Sequence, residues 1–161
     1  MSMPPQNYEE LIKEFGNIRD FIFEDGSIDS YQWETIILDV CPLPFPMKLA
    51  WNPSIEVSRF RCHHRMISIF QEAFDRIWAA NLESECQFFG GCYMFRCKKG
   101  SKKISTHAWG IAIDLNPLEN QMGTPGQMNS DIVSIFESLG FTWGGKWQNP
   151  DPMHFQFCSG Y

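Results

Sequence analysis

The sequence predicts an α+β fold in which helices pack on a small, mainly antiparallel sheet. Three observations lead there. Segments with apolar residues every three to four positions stand apart from short runs that alternate polar and apolar residues. The alternating runs all fall in the second half of the chain. Hydrophobic residues make up 43% of 161 positions, with 14 Phe and six Trp, which is enough large apolar side chain to fill one core. One domain over residues 1–161 is therefore expected, with its motif-bearing core at about 90–158.

The first helix is predicted after Asn7, where Glu10 supplies a capping-box partner and Tyr8, Leu11, Ile12 and Phe15 share a face before Gly16. Residues 41–46 hold Pro42, Pro44 and Pro46, so an extended connector is expected that cannot serve as a central strand. From Ser58 to Ala80 the positions Met66, Ile67, Phe70, Phe74, Ile77 and Trp78 follow a helical period and predict the longest helix. Strands are expected at Cys92–Cys97, Gly110–Leu115 and Met153–Phe157, with the lysine-rich segment 98–103 as a solvated turn between the first two. A last helix runs from about Ser130 to Leu139, stopped by Gly140.

Composition excludes several function classes. No apolar run approaches the roughly 18 to 20 residues of a membrane span, and Met1–Asn7 lacks the basic and apolar regions of a secretory signal. A net charge of -6 argues against a nonspecific nucleic-acid binder. Without a signal peptide, Cys41, Cys62, Cys86, Cys92, Cys97 and Cys158 are read as free thiols. The gaps between Cys86, Cys92 and Cys97 do not match the C-x-x-C pairs of structural zinc sites.

The chemistry lies in two segments. In Ser105–Asp114, Ala112 and Asp114 share one strand face while Ile111, Ile113 and Leu115 face the other way. Small Gly110 and Ala112 leave room beside the backbone, which sets His107 and Asp114 toward one cavity. In Asp151–Phe157, Phe155 and Phe157 alternate with His154 and Gln156, so His154 takes the polar face, with Asp151 three residues upstream. Two histidines and one aspartate make a three-ligand set with a fourth position left for water, as a catalytic zinc site requires. A carboxylate beside such a site, here Asp151, can move the proton.

These segments resemble the peptidase M15 family, the zinc D-alanyl-D-alanine carboxypeptidases and phage-type L-alanyl-D-glutamate endopeptidases. Its first motif, S-x-H-x-x-G-x-A-x-D, is matched by Ser105, His107, Gly110, Ala112 and Asp114. Its second, an acidic residue three positions before a histidine and following a tryptophan, is matched by Trp147, Asp151 and His154. The resemblance implies one zinc ion on His107, Asp114 and His154, with Asp151 as general base and acid. It implies that Arg96 binds a substrate carboxylate and that Ser105 contacts the substrate backbone. It also implies a DD-peptidase or hedgehog-like sheet and, as partner, the stem peptide of bacterial peptidoglycan. Many members carry Glu where this chain has Asp151; phage-type endopeptidases are similar to it in using Asp.

The resulting expectation is a phage or prophage endolysin-like enzyme, most simply a monomer, that accumulates in the cytoplasm and reaches the wall after release. The alternative is a zinc-containing binding domain without turnover. Other readings are weaker. Cys62, His63 and His64 are adjacent, and neighbours on a helix point about 100 degrees apart, which does not build a thiol–imidazole pair. Gly144–Gly145 reads as a turn, because no helix signal comes after it and Lys146 lacks a phosphate-loop frame. His and carboxylate ligands also accept divalent ions other than zinc.

Overall fold

A computed structural model describes residues 3–161. The first helix, α1 (Tyr8–Phe15), starts as its sequence dictates. Asn7 Oδ1 accepts from Glu10 N at 2.9 Å, and the Glu10 carboxylate accepts from Gln6 N at 2.8 Å. A second helix, α2 (Ser30–Ile37), lacks a clear sequence signal and is capped by Asp29. It buries Trp33, whose indole N–H donates to Ala108 O at 2.9 Å. Trp109 donates likewise to Gly16 O at 2.9 Å, so the segment that carries His107 is pinned by two indoles.

Next come two long strands, β1 (Leu38–Leu49) and β2 (Asn52–His63), paired antiparallel. This corrects the expectation for residues 41–46, which lie inside β1. The strand tolerates its prolines because their alternate spacing puts all three missing N–H groups on one edge. That edge is free of a ladder: β3 (Phe88–Gly91) pairs with β1 only at Lys48 and Leu49. The register against β2 also slips between Pro42 and Met47.

The expected helix from Ser58 begins late. β2 continues to His63, a 3-10 turn occupies His64–Met66, and α3 spans Ile67–Ala79. Met66, Phe70, Phe74 and Ile77 are buried as expected, whereas Trp78 is half exposed and stacks on Phe45. The stretch 92–97 is not a regular strand either. Its backbone bonds to 104–107 (Met94 N to His107 O, 3.1 Å; Ser105 N to Arg96 O, 2.8 Å) but forms only one isolated bridge, Cys97 with Ile104. The partner segment curls into a 3-10 turn, Thr106–Trp109, and cannot continue a ladder.

Strand β4 (Ala112–Leu115) starts two residues later than expected, after Gly110 takes a left-handed conformation at φ 66°. A Cβ there would stand 2.7 Å from His63 N, so only glycine fits. Helix α4 (Ser130–Ser138), capped by Asn129 and closed by Gly140, leads to the short β5 (Thr142–Trp143) and then to β6 (His154–Gln156). The sheet order is β2-β1-β3-β4-β6-β5, with β1/β3 parallel and every other pair antiparallel. The fold is thus α+β, with four α-helices and a six-stranded mixed sheet among the described residues.

One face of the sheet carries the core. Phe155 stacks on Phe136 of α4 at 4.5 Å, Phe136 meets Phe141 at 5.0 Å, and Phe141 meets Phe70 of α3 at 5.4 Å. Each fully buried Phe adds about 1.5–3 kcal/mol of hydrophobic stabilisation, so this chain of rings fixes which way β6 faces. With Phe155 turned to the helices, His154 and Gln156 must point to the other side. Among the described residues no helix is long and apolar enough to cross a membrane.

Candidate metal centre

The centre is built on a cross-strand pair. In the β4/β6 register Asp114 lies opposite His154, Ile113 opposite Phe155 and Ala112 opposite Gln156. Asp114 and His154 therefore project from the same face, and Asp114 Oδ1 is 3.0 Å from His154 Nδ1. His107 arrives from the 3-10 turn just before β4. Ser105 caps that turn, its Oγ accepting from His107 N at 3.3 Å. His107 Nε2 then sits 3.2 Å from Asp114 Oδ1 and 3.1 Å from His154 Nδ1.

Both imidazoles are oriented from behind. His107 Nδ1 donates to the Cys92 carbonyl at 2.7 Å, and His154 Nε2 donates to Gln156 Oε1 at 3.0 Å. Gln156 is itself held: its amide donates to Cys158 O and Tyr161 O, and Thr106 Oγ1 donates to its oxygen. With those N–H groups committed outward, each ring turns a lone pair inward. When both rings are neutral, two nitrogens and a carboxylate oxygen face one another at 3.0–3.2 Å with no hydrogen between them. A shared cation relieves that repulsion. Ligand atoms around a tetrahedral zinc, with bonds of about 2.0–2.1 Å, stand about 3.3 Å apart, so the donor set fits such an ion in chemistry and in spacing. It is the one group of three or more His, Cys, Asp or Glu among the described residues that can hold a metal.

Without an ion, the electrostatics of the group favour positive charge at the same place. Burial opposes ionisation of Asp114, yet the two histidines hold its carboxyl well below the usual carboxylate range. Burial likewise works against charge on His154, but Asp114 and Gln156 outweigh it and raise its pKa.

Asp151 stands beside this group on the segment that enters β6. Its backbone N–H donates to Gly144 O at 2.9 Å, and its own carbonyl accepts from His154 N at 3.0 Å. The close approach depends on Gly144, where a Cβ would fall 2.5 Å from Asp151 O. Burial raises the Asp151 carboxyl pKa, partly offset by His154, and its Oδ1 is buried without a hydrogen-bond partner among the described residues. Such a group is poised to take up a proton.

Two cavities meet at this point. One, about 680 Å³, has Asp151, His154, Ser105, Lys98, Trp147 and Tyr161 in its walls; the other, about 380 Å³, has His107, Arg59, Tyr93 and Trp51. Arg96 and Asp114 line both. The guanidinium of Arg96 makes only a long contact to Cys97 O at 3.4 Å and no ion pair among the described residues.

The remaining candidates fall elsewhere. Cys86 is buried against Met47, Cys97 is exposed, and all six cysteines are free thiols. His63 is buried against the Phe15 carbonyl, and residues 144–146 form a 3-10 turn. Three contributors to the site, Gln156, the Cys92 carbonyl and Gly144, are not evident from the motifs. Of these only Gln156 carries a sequence signal, its place two residues after His154 on the polar face.

These features define a class: an α+β protein with a buried His-Asp-His group at the meeting point of two open cavities. Residues 99–157 match the model of a peptidase M15 family described as D-alanyl-D-alanine carboxypeptidase. The match takes in Ser105, His107, Asp114, Asp151 and His154 and supports the M15 resemblance and a peptidase. No curated protein and no solved structure matches the chain.

Proposed function

We propose that the protein is a zinc-dependent peptidase that hydrolyses a peptide bond in the stem peptide of bacterial peptidoglycan, in the manner of an endolysin. The DD-peptidase-like fold and a single catalytic domain belong to the same reading. One observation carries it: three inward-facing acceptor atoms, on His107, Asp114 and His154, converge beside the unpartnered carboxyl oxygen of Asp151. His107, Asp114 and His154 would hold one zinc ion, which when bound polarises the scissile carbonyl and makes water a better acid.

The chain's own residues do the rest. Asp151 Oδ1 accepts the proton of the attacking water and returns it to the leaving amine. Arg96, exposed at the junction of the cavities, pairs with a substrate carboxylate. Ser105 holds the His107 turn and, from the wall of the larger cavity, contacts the substrate backbone.

The test is digestion of purified peptidoglycan by the zinc-loaded protein, with the released fragments identified by mass spectrometry. Asp151→Asn is expected to retain one zinc per chain and to lose cleavage by at least about 100-fold, the scale of a missing general base. Undiminished cleavage by that variant would remove Asp151 from the mechanism. A wild type that binds zinc and releases nothing would identify a binding domain.

A further inference from the structure

The space around the metal centre does not end there. A peptidase that trims a terminal residue needs a wall just beyond the reacting bond and a cation on it for the chain-end carboxylate. Here open space continues on both sides of Asp114, as the 680 Å³ and 380 Å³ cavities. Both are electropositive in a chain whose net charge is -6. Arg96, Lys98 and Lys99 line the larger, and Arg59, Arg61 and Arg96 the smaller. Among the described residues, the only carboxylates in either wall are Asp114 and Asp151.

Arg61 already pairs with Glu34 at 2.8 Å, whereas Arg59 has no ion-pair partner among the described residues. Arg59 is exposed on β2, and the same cavity is rimmed by Trp51 and Met94, large apolar side chains left 66% and 56% exposed. Apolar surface beside an unpaired guanidinium is a wall made to be covered by an anionic ligand with an apolar body.

We infer that the smaller cavity is a second substrate subsite, in which Arg59 binds a carboxylate on the far side of the scissile bond from the larger cavity. The enzyme is then an endopeptidase for peptides that bear carboxylates on both sides of the cut. This rests on the peptidase reading above. Arg59 acts through binding, at a site outside the residues that match the carboxypeptidase family.

The experiment compares wild type with Arg59→Ala and Arg59→Lys, using stem peptides with free side-chain carboxylates and the same peptides with those carboxylates amidated. Binding is measured by calorimetry on zinc-loaded protein carrying Asp151→Asn, and cleavage by mass spectrometry on protein with Asp151 intact. Arg59→Ala is expected to weaken binding of the free-carboxylate peptide about tenfold, to leave the amidated peptide unchanged and to be partly rescued by Arg59→Lys. The cut should fall at an internal bond.

Equal effects on both peptides, no effect on either, or no binding to the wild type would overturn the subsite. Release of a single terminal residue would overturn the endopeptidase assignment. Selective binding that depends on Arg59, with no cleavage, would leave the subsite standing and refute the peptidase reading instead.

Discussion

Gln156 Oε1 lies 3.0 Å from His154 Nε2, and this contact decides which nitrogen of His154 faces Asp114. The two residues are on one face of β6 because Phe155 between them is locked into the aromatic core. Packing on one side of a three-residue strand thus sets the geometry of the His-Asp-His group on the other.

Replacing Gln156 with Leu removes that orienting acceptor. Zinc affinity, measured by competition with a chromophoric chelator, is expected to fall about 10–100-fold, the usual effect of losing a partner behind a metal ligand. The metal-free variant should also melt lower, since the Gln156 amide bonds to Cys158 O and Tyr161 O near the C-terminus. Unchanged affinity would mean that His154 is oriented by its packing alone.

Gly144→Ala separates metal binding from turnover. The added Cβ would meet Asp151 O at 2.5 Å, forcing the Asp151 segment outward. Zinc should still bind at one per chain, while cleavage of peptidoglycan falls by tens to about 100-fold, as a displacement near 1 Å costs in an oriented site. Full activity in this variant would detach Asp151 from the reaction.

A pH effect is also expected at His63, outside the His-Asp-His group. Burial, with the neighbouring His64 and Arg65 charges, brings His63 from 6.5 down to about 4, although its contact with Phe15 O pulls the other way. Between those values the unfolded chain binds the proton and the folded one does not, so stability falls as pH drops from 6.5 toward 4. The full loss is roughly 3 kcal/mol. Urea unfolding of wild type and His63→Gln across this range should show a shallower pH slope in the variant; parallel slopes would show that His63 is not held neutral.

How far the fold is legible in the sequence depends on whether local pattern and tertiary pairing agree. Asn7–Gly16 and Asn129–Gly140 carry their own caps and periods, and α1 and α4 form there. The prolines of 41–46 forbid a strand only where both edges must bond, and no local pattern reveals that β3 reaches β1 only at Lys48 and Leu49. Ser58–His63 runs without a break into the helical period of Met66–Trp78, and its strand conformation comes from pairing with β1, earlier in the chain.

In the site, the alternation in Ala112–Leu115 and His154–Gln156 reveals the correct faces because each strand packs one side against the core. The second cavity is invisible in the sequence, since Trp51 and Arg59 reach it only through the β1/β2 hairpin. The orienting role of Cys92 is hidden too, because a backbone carbonyl leaves no mark on residue type.

The central claim is tested most directly by anomalous diffraction at the zinc edge from crystals grown with zinc. One peak is predicted, about 2.0–2.2 Å from His107 Nε2, His154 Nδ1 and an Asp114 carboxylate oxygen. A peak on the Cys86 or Cys97 thiols, or no density between His107, Asp114 and His154, would contradict the account.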